Sequence, residues 1–269
     1  MKNMAIKELE QKIKNVLRDF QGDAGLLIEA AGEQIALNEN RQMRAASVIK
    51  LPILIEGYRQ LDSGKVSRTE KIAMEPSDLV YGSGVLFHLE SIKQLSMYDI
   101  LTLMTIVSDN TASNIAIKKL GFDAINKFCE KAGCTETHLG RRFMDFEAAA
   151  KGIDNVTSAQ DMVALLKAAD SGEFLTEDSR KRVIHTLKQQ QLMANLHGRI
   201  EEDSEVSIAS KSGSLPGVVN DVGIFEYKGK KVYVGVLLGN LEDNHSGQEL
   251  IAEIGWLVHN YLLANEKIR

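Results

Sequence analysis

Residues 206–238 read VSIASKSGSLPGVVNDVGIFEYKGKKVYVGVLL. Val206–Ser210, Val218–Tyr227 and Lys231–Leu238 are rich in β-branched residues, and Lys228-Gly229 is the clearest turn between them, so this stretch predicts three strands. Two more strands are predicted near the opposite end of the chain. Gly25–Ala30 and Gln34–Leu37, joined by Ala31-Gly32-Glu33, have the pattern of a short hairpin. An unpaired strand edge leaves N–H and C=O groups unsatisfied, so the two distant ends are expected to pair with each other. The predicted fold class is α+β, an α/β sandwich with a five-stranded, mainly antiparallel sheet.

Helices are expected on either side of that sheet and in the middle of the chain. Residues 4–20 place Ile6, Leu9, Ile13, Val16, Leu17 and Phe20 at spacings of three and four, and Gln248–Leu263 reads the same way. Between roughly 47 and 190 the strand signal nearly vanishes. Val48–Gln60, Met97–Val107, Thr111–Leu120, Asp123–Ala132 and Ser158–Ala169 carry helical patterns instead. The expected organisation is one structural unit: residues 1–46 and 191–269 form the α/β lobe, and 47–190 form an inserted all-helical lobe. The cleft between lobes is the expected place for a small-molecule site.

Composition narrows the partners. The chain has 269 residues, 44% hydrophobic and 26% charged with three prolines, which excludes disorder and a disulfide scaffold. Its 32 basic and 37 acidic residues leave a formal charge of −5 with no Lys/Arg-rich run, so nucleic acid is not an expected partner. The first twenty residues carry charges throughout and lack the apolar core of a signal peptide, and no run is long enough to span a bilayer. That predicts a cytoplasmic protein if Met1 is the native start, and a secreted one if the chain is a mature form. Cys129 and Cys134 read as reduced thiols. With His138 they lack a fourth ligand, so no metal is expected, and no cofactor motif stands out.

Three short tracts can carry chemistry. In Ser47-Val48-Ile49-Lys50 a spacing of three puts hydroxyl and amine on one helix face, and Pro52 marks a helix starting at or just before Ser47. A serine hydroxyl needs a base, and lysine serves once burial or a nearby cation lowers its pKa. Ser108-Asp109-Asn110 ends an apolar helix. It reads either as helix punctuation, with Asp109 or Asn110 capping the next helix, or as a cleft loop in which Ser108 relays a proton and Asn110 donates its amide. Lys211-Ser212-Gly213-Ser214 follows an alternating strand. It reads either as a lysine guarding an edge strand or as a ligand-facing cation beside a glycine that allows close backbone approach. Gly82-Ser83-Gly84 is a turn at the cleft rim, where Val85 and Leu86 stand near substrate, and Leu95, Met97, Ile100 and Met104 read as core.

Taken together, in this order and on these elements, the tracts resemble the β-lactamase and penicillin-binding protein superfamily over nearly the whole chain. The likeness is closest to the class A β-lactamase-like serine hydrolases, in RAASVIKLPIL, VSDNTASNIAI and KSGSLPGVVNDVGIF. The family's third motif has Thr where this chain has Ser212. The resemblance implies that Ser47 forms an acyl-enzyme with Lys50 in its proton network, and that the Ser47 and Ser214 N–H groups form the oxyanion hole. It further implies that Ser108 protonates the leaving nitrogen and that Asn110 holds the substrate side chain and Lys50. Lys211, Ser212 and Ser214 would receive a substrate carboxylate, with Gly213 between them.

One departure affects deacylation. The family's Glu-Pro-x-Leu-Asn loop is missing, and the corresponding stretch is Arg141-Arg142-Phe143-Met144-Asp145-Phe146-Glu147. Laying Gly133, Leu139 and Arg141 on the family's Gly, Leu and Arg puts Phe143 at the catalytic Glu and Glu147 at the Asn. Glu147 is then the first candidate to activate the hydrolytic water and Asp145 the second; alternatively both are surface charges. The implied activity is hydrolysis of a β-lactam amide. The alternatives are a slow-turnover penicillin-binding sensor or sink, and an esterase or peptidase acting on cell-wall-like peptides.

Overall fold

The computed structural model describes residues 5–265. Helix α1 (Ile6–Leu17) leads into β1 (Asp23–Ala30) and β2 (Glu33–Leu37), and the short β3 (Met43–Arg44) precedes a 3₁₀ turn, Ala46–Ile49. The insertion follows, with α2 (Lys50–Asp62), β4 (Lys71–Ala73), β5 (Gln94–Ser96), α3 (Met97–Ile106), α4 (Asn110–Leu120) and α5 (Phe122–Lys131). It continues through α6 (Phe146–Ala150), β6 (Val156–Thr157), α7 (Ala159–Ser171) and α8 (Glu177–Lys188). The chain then returns to the sheet as β7 (Ser207–Leu215), β8 (Val218–Tyr227) and β9 (Lys230–Gly239), and ends in α9 (Asn244–Ala264).

The five long strands form one sheet in the order β2-β1-β9-β8-β7. Every pairing in it is antiparallel, and Ala24↔Leu238 through Ala30↔Val232 join the N-terminal hairpin to β9. The expected pairing of distant ends is therefore realised through β1 and β9, and β7 is left as an outer strand. Strand parity divides two cores. Leu26, Ile28, Phe225, Val234 and Val236 pack with Leu9, Ile13, Ile254 and Val258 of α1 and α9. Leu27, Ala209, Val222, Ile224 and Leu237 pack with the inserted helices.

The insertion is mainly helical, with two small additions the sequence pattern did not predict: β3 pairs with β6, and β4 with β5. Each strand has two or three residues, too few to show a period of two. Helix α8 was also unpredicted, because its apolar stripe is narrow; Val183 and Leu187 are its buried hydrophobics and Thr176 caps its start. Met4, the first residue of the predicted first helix, lies outside the described residues. Leu86, Met97, Ile100 and Met104 are buried in the core, whereas Val85 is exposed. Both cysteines are free and buried, and burial pushes the Cys129 thiol up to about 12 and the Cys134 thiol higher still. Among the described residues no helix is long and apolar enough to cross a membrane, and no cluster of potential metal ligands occurs.

Candidate active site

Ser47 sits in the 3₁₀ turn that opens the insertion, and the Lys50 N–H donates to the Ser47 carbonyl, so the two residues stack one turn apart. The α-helix proper starts at Lys50, three residues later than the sequence reading placed it. Ala46, just before the serine, has φ of 47°, a left-handed conformation that costs a non-glycine residue about 1–2 kcal/mol. Two devices hold the turn. The Asn220 amide donates at 2.9 Å to the carbonyls of Arg44 and Ala45, and Gly213 of β7 passes so close that a Cβ there would lie 2.6 Å from the Ser47 nitrogen.

The three tracts meet at this point. Lys50, fully buried, donates to the Ser108 carbonyl at 2.7 Å, the Ser108 hydroxyl at 2.9 Å and the Asn110 side-chain oxygen at 3.1 Å. Ser108 can present carbonyl and hydroxyl together because its φ is 54°, a second left-handed residue. Lys211, also fully buried, reaches the same hydroxyl at 3.3 Å and the Ser212 carbonyl at 2.7 Å. Asp109 caps α4 through the Ala112 N–H, as the punctuation reading expects, and its flanking residues Ser108 and Asn110 contact Lys50. Asp109 also accepts from Val85 and Leu86 at 2.6 and 2.8 Å, which ties residues 83–86 to the cleft.

Two buried amines around one hydroxyl cannot both stay charged cheaply. Burial, and then the charge of Lys211, lowers the Lys50 amine well below its usual value, with Asp109 opposing. Burial brings Lys211 down to about 8, with Asp221 of β8 opposing. A neutral amine beside a serine can take its proton, and a charged one can bind a carboxylate.

Ser47 opens onto two recesses. One, of about 310 Å³, is lined by Ser108, Ser212, Gly213, Ser214 and the exposed Leu192 and Met193. The other, of about 240 Å³, is lined by Gly82, Asn110, Phe143, Met144, Phe146 and Asp154 among others. Asn244 donates to the Ser214 hydroxyl at 2.9 Å, orienting it along the rim.

The deacylation candidates are not brought here. Glu147 lies on the outer face of α6 with 83% of its side chain exposed, bound to Lys151 at 2.8 Å. Asp145 caps α6 by accepting from the Ala148 N–H at 2.9 Å, and neither carboxylate lines a recess. The chain turns at Met144, with φ of 62°, into α6, which has no buried residue. Phe143 occupies the inner position instead, its ring centroid 4.2 Å from the Lys50 nitrogen. Asn114 clamps it from both sides, donating to the Phe143 carbonyl at 3.0 Å and accepting from its N–H at 2.9 Å. Asn114, Asn220 and Asn244 escaped the sequence reading because an isolated asparagine carries no spacing signal.

A family model described as the Beta-lactamase enzyme family matches residues 8–262. The chain belongs to this family. A β-lactamase from Sphaerobacter thermophilus DSM 20745 is 30% identical to it, with 99% of this chain and all of that one covered and a TM-score of 0.88. PBP-A, solved as a variant in an acyl-enzyme complex with penicillin G, is 25% identical over 97% of this chain and 98% of that one, with a TM-score of 0.85. Among curated proteins, the β-lactamase VEB-1 of Pseudomonas aeruginosa is 22% identical over 97% of this chain and 92% of that protein. The chain is thus a β-lactamase-like hydrolase by family, and its fold is the one these relatives share.

Proposed function

We propose that the protein takes the acyl group of a carboxylate-bearing β-lactam, or a related amide or ester, onto Ser47 and releases it slowly to water. The observation that carries this reading is the hydrogen bonding of two fully buried amines to the Ser108 hydroxyl, beside the cleft onto which Ser47 opens. Neutral Lys50 accepts the Ser47 proton as Oγ attacks the carbonyl carbon. The oxyanion rests on the Ser47 and Ser214 N–H groups, a donor there being worth about 10²–10³ in rate. The carbon–nitrogen bond breaks as Ser108 passes a proton to the nitrogen and regains one from Lys50. Charged Lys211, with Ser212 and Ser214, binds the substrate carboxylate, and Asn110 lies beside the acyl substituent.

Water must then attack the ester with the help of a base. The Phe143 ring at the inner position, with Glu147 and Asp145 turned away, favours slow release over rapid turnover. A peptide-like substrate is the second reading. It is favoured by the edge position of β7 in the sheet, where an extended chain can add as a further strand.

Intact-protein mass spectrometry after exposure to benzylpenicillin tests the proposal. One covalent addition is expected on the wild type and none on Ser47→Ala; labelling of the alanine variant would overturn it. Phe143→Glu is expected to shorten the adduct lifetime by about 10²-fold, the lower end of what a placed general base contributes. D-Ala-D-Ala peptides and p-nitrophenyl esters, assayed in parallel, test the second reading.

A further inference from the structure

Gln190 lies just beyond α8, where the chain leaves the inserted helices, and it is only 4% exposed. A primary amide carries two N–H donors and an oxygen that accepts twice. All four are used here. The nitrogen donates to the Thr105 carbonyl at 3.3 Å and the Ser210 carbonyl at 3.4 Å. The oxygen accepts from the Gln191 and Leu192 N–H groups, each at 3.0 Å. Such an amide is held in one orientation, because flipping it would set its oxygen against two carbonyls in a buried place.

The two carbonyls it joins stand at the approaches to the cleft. Helix α3 ends at Ile106, and the last carbonyls of a helix have no partner within it. Other segments supply the donors: the Asp109 N–H to Leu103 at 3.1 Å, Gln190 to Thr105, and the Gln191 N–H to Ile106 at 2.9 Å. Three residues after Thr105 comes Ser108, and one residue after Ser210 comes Lys211. A single buried side chain thus spans the end of α3 and the middle of β7, next to both of the tracts that meet at the Ser108 hydroxyl. The Lys211 bond to that hydroxyl, at 3.3 Å, is longer than any of the three that Lys50 makes, so it is the one most exposed to a shift of β7 against α3.

We propose that Gln190 is a positioning residue: by tying the end of α3 to β7 it sets the Ser108 hydroxyl against Lys211, and with it the delivery of a proton to the departing nitrogen. The inference rests on the reading in which Ser47 is acylated and Ser108 protonates the leaving group. As the carbon–nitrogen bond breaks, the nitrogen takes the Ser108 proton, and Ser108 regains one from Lys50, which received it from Ser47. Gln190 lines neither recess, so it acts through Ser108 and Lys211 and not on the substrate itself. A leaving group that needs no proton is therefore spared when the tie is cut.

Benzylpenicillin and phenylacetylglycyl-thioglycolate both carry a phenylacetamido group and a carboxylate. The first must expel a nitrogen, and the second a thiolate, which leaves without a proton. Second-order rates of Ser47 acylation are compared for the wild type and Gln190→Met, which keeps the bulk and removes both donors, by intact mass for the penicillin and by thiol release for the thioester. The variant is expected to lose about 10- to 100-fold more with the penicillin than with the thioester, part of the about 10²–10⁴ that a placed proton donor contributes. Gln190→Glu keeps the size and the acceptor oxygen and leaves at most one of the two ties; it is measured alongside and carries the same expectation should the methionine variant not fold. An equal loss for both substrates, as a merely structural role would give, or an unchanged penicillin rate would overturn the proposal. Absence of Ser47 label on the wild type with benzylpenicillin would instead bring down the acyl-enzyme reading, and this inference with it.

Discussion

In the proposed function, Lys211 is the residue whose charge state binding of a carboxylate depends on most. With its amine brought to about 8 by burial, it is charged below that pH and neutral above it. Labelling by a carboxylate-bearing substrate should therefore be intact near pH 7 and fall as pH rises through about 8. Asp221 holds that limb up. It is fully buried, faces Ser212 across the β7–β8 ladder, and accepts from the Leu196 N–H at 3.1 Å. Removing its negative charge in Asp221→Asn lowers the Lys211 amine further, so the alkaline limb should move to lower pH in a kcat/KM profile. An unmoved limb would show that Asp221 has no electrostatic hold on Lys211. Gly213 makes a different demand, because any Cβ meets the Ser47 nitrogen at 2.6 Å. Gly213→Ala should cost about 1–3 kcal/mol of stability by overpacking and at least about 10²-fold in labelling rate, measurable by denaturant titration and intact mass. The glycine was visible in the sequence as a site of close approach. That the approach is to the serine's own backbone was not, since those residues are far apart along the chain.

At the level of elements, the loop from Arg141 to α6 is the one on which the proposed slow release depends. It is held by side chains on other elements: Asn114 grips Phe143 at both backbone groups, and Asn155 accepts from Gly140 and Arg141 at 2.9 and 3.0 Å. Asn114→Ala leaves two partly buried backbone groups without partners and should cost about 1–3 kcal/mol, read as a lower denaturation midpoint. It should also loosen the ring over Lys50. Element-scale reasoning from sequence worked where the period was long. Helices α3, α4 and α7 came out within a few residues of their observed ends, helped by capping side chains at Ser96, Asp109 and Ser158. It failed at α6, five residues long with no buried member, where the ungapped register suggested that Glu147 could face Ser47. Spacing located the residue along the chain but not the exposed face of α6 on which it pairs with Lys151.

For the whole molecule, the pairing of distant ends followed from the need to satisfy strand edges. The strand order did not. Five antiparallel strands can be arranged with β1 beside β7 or beside β9, and packing against α1, α9 and the inserted helices makes the choice. The two cores lie on opposite faces of one sheet, and the apparatus around Ser47 draws on both sides of the lobe boundary. Because lobes can loosen before either melts, covalent labelling should fail at a lower urea concentration than the far-UV signal of the sheet. Coincident midpoints would show the two halves to be one cooperative unit. The site of joining has a practical consequence. Ser47 and Lys50 travel with the insertion, Ser212 and Ser214 with the frame, and Gly213 is the rivet between them, so a penicillin adduct would serve as a gauge of whether the two halves are seated.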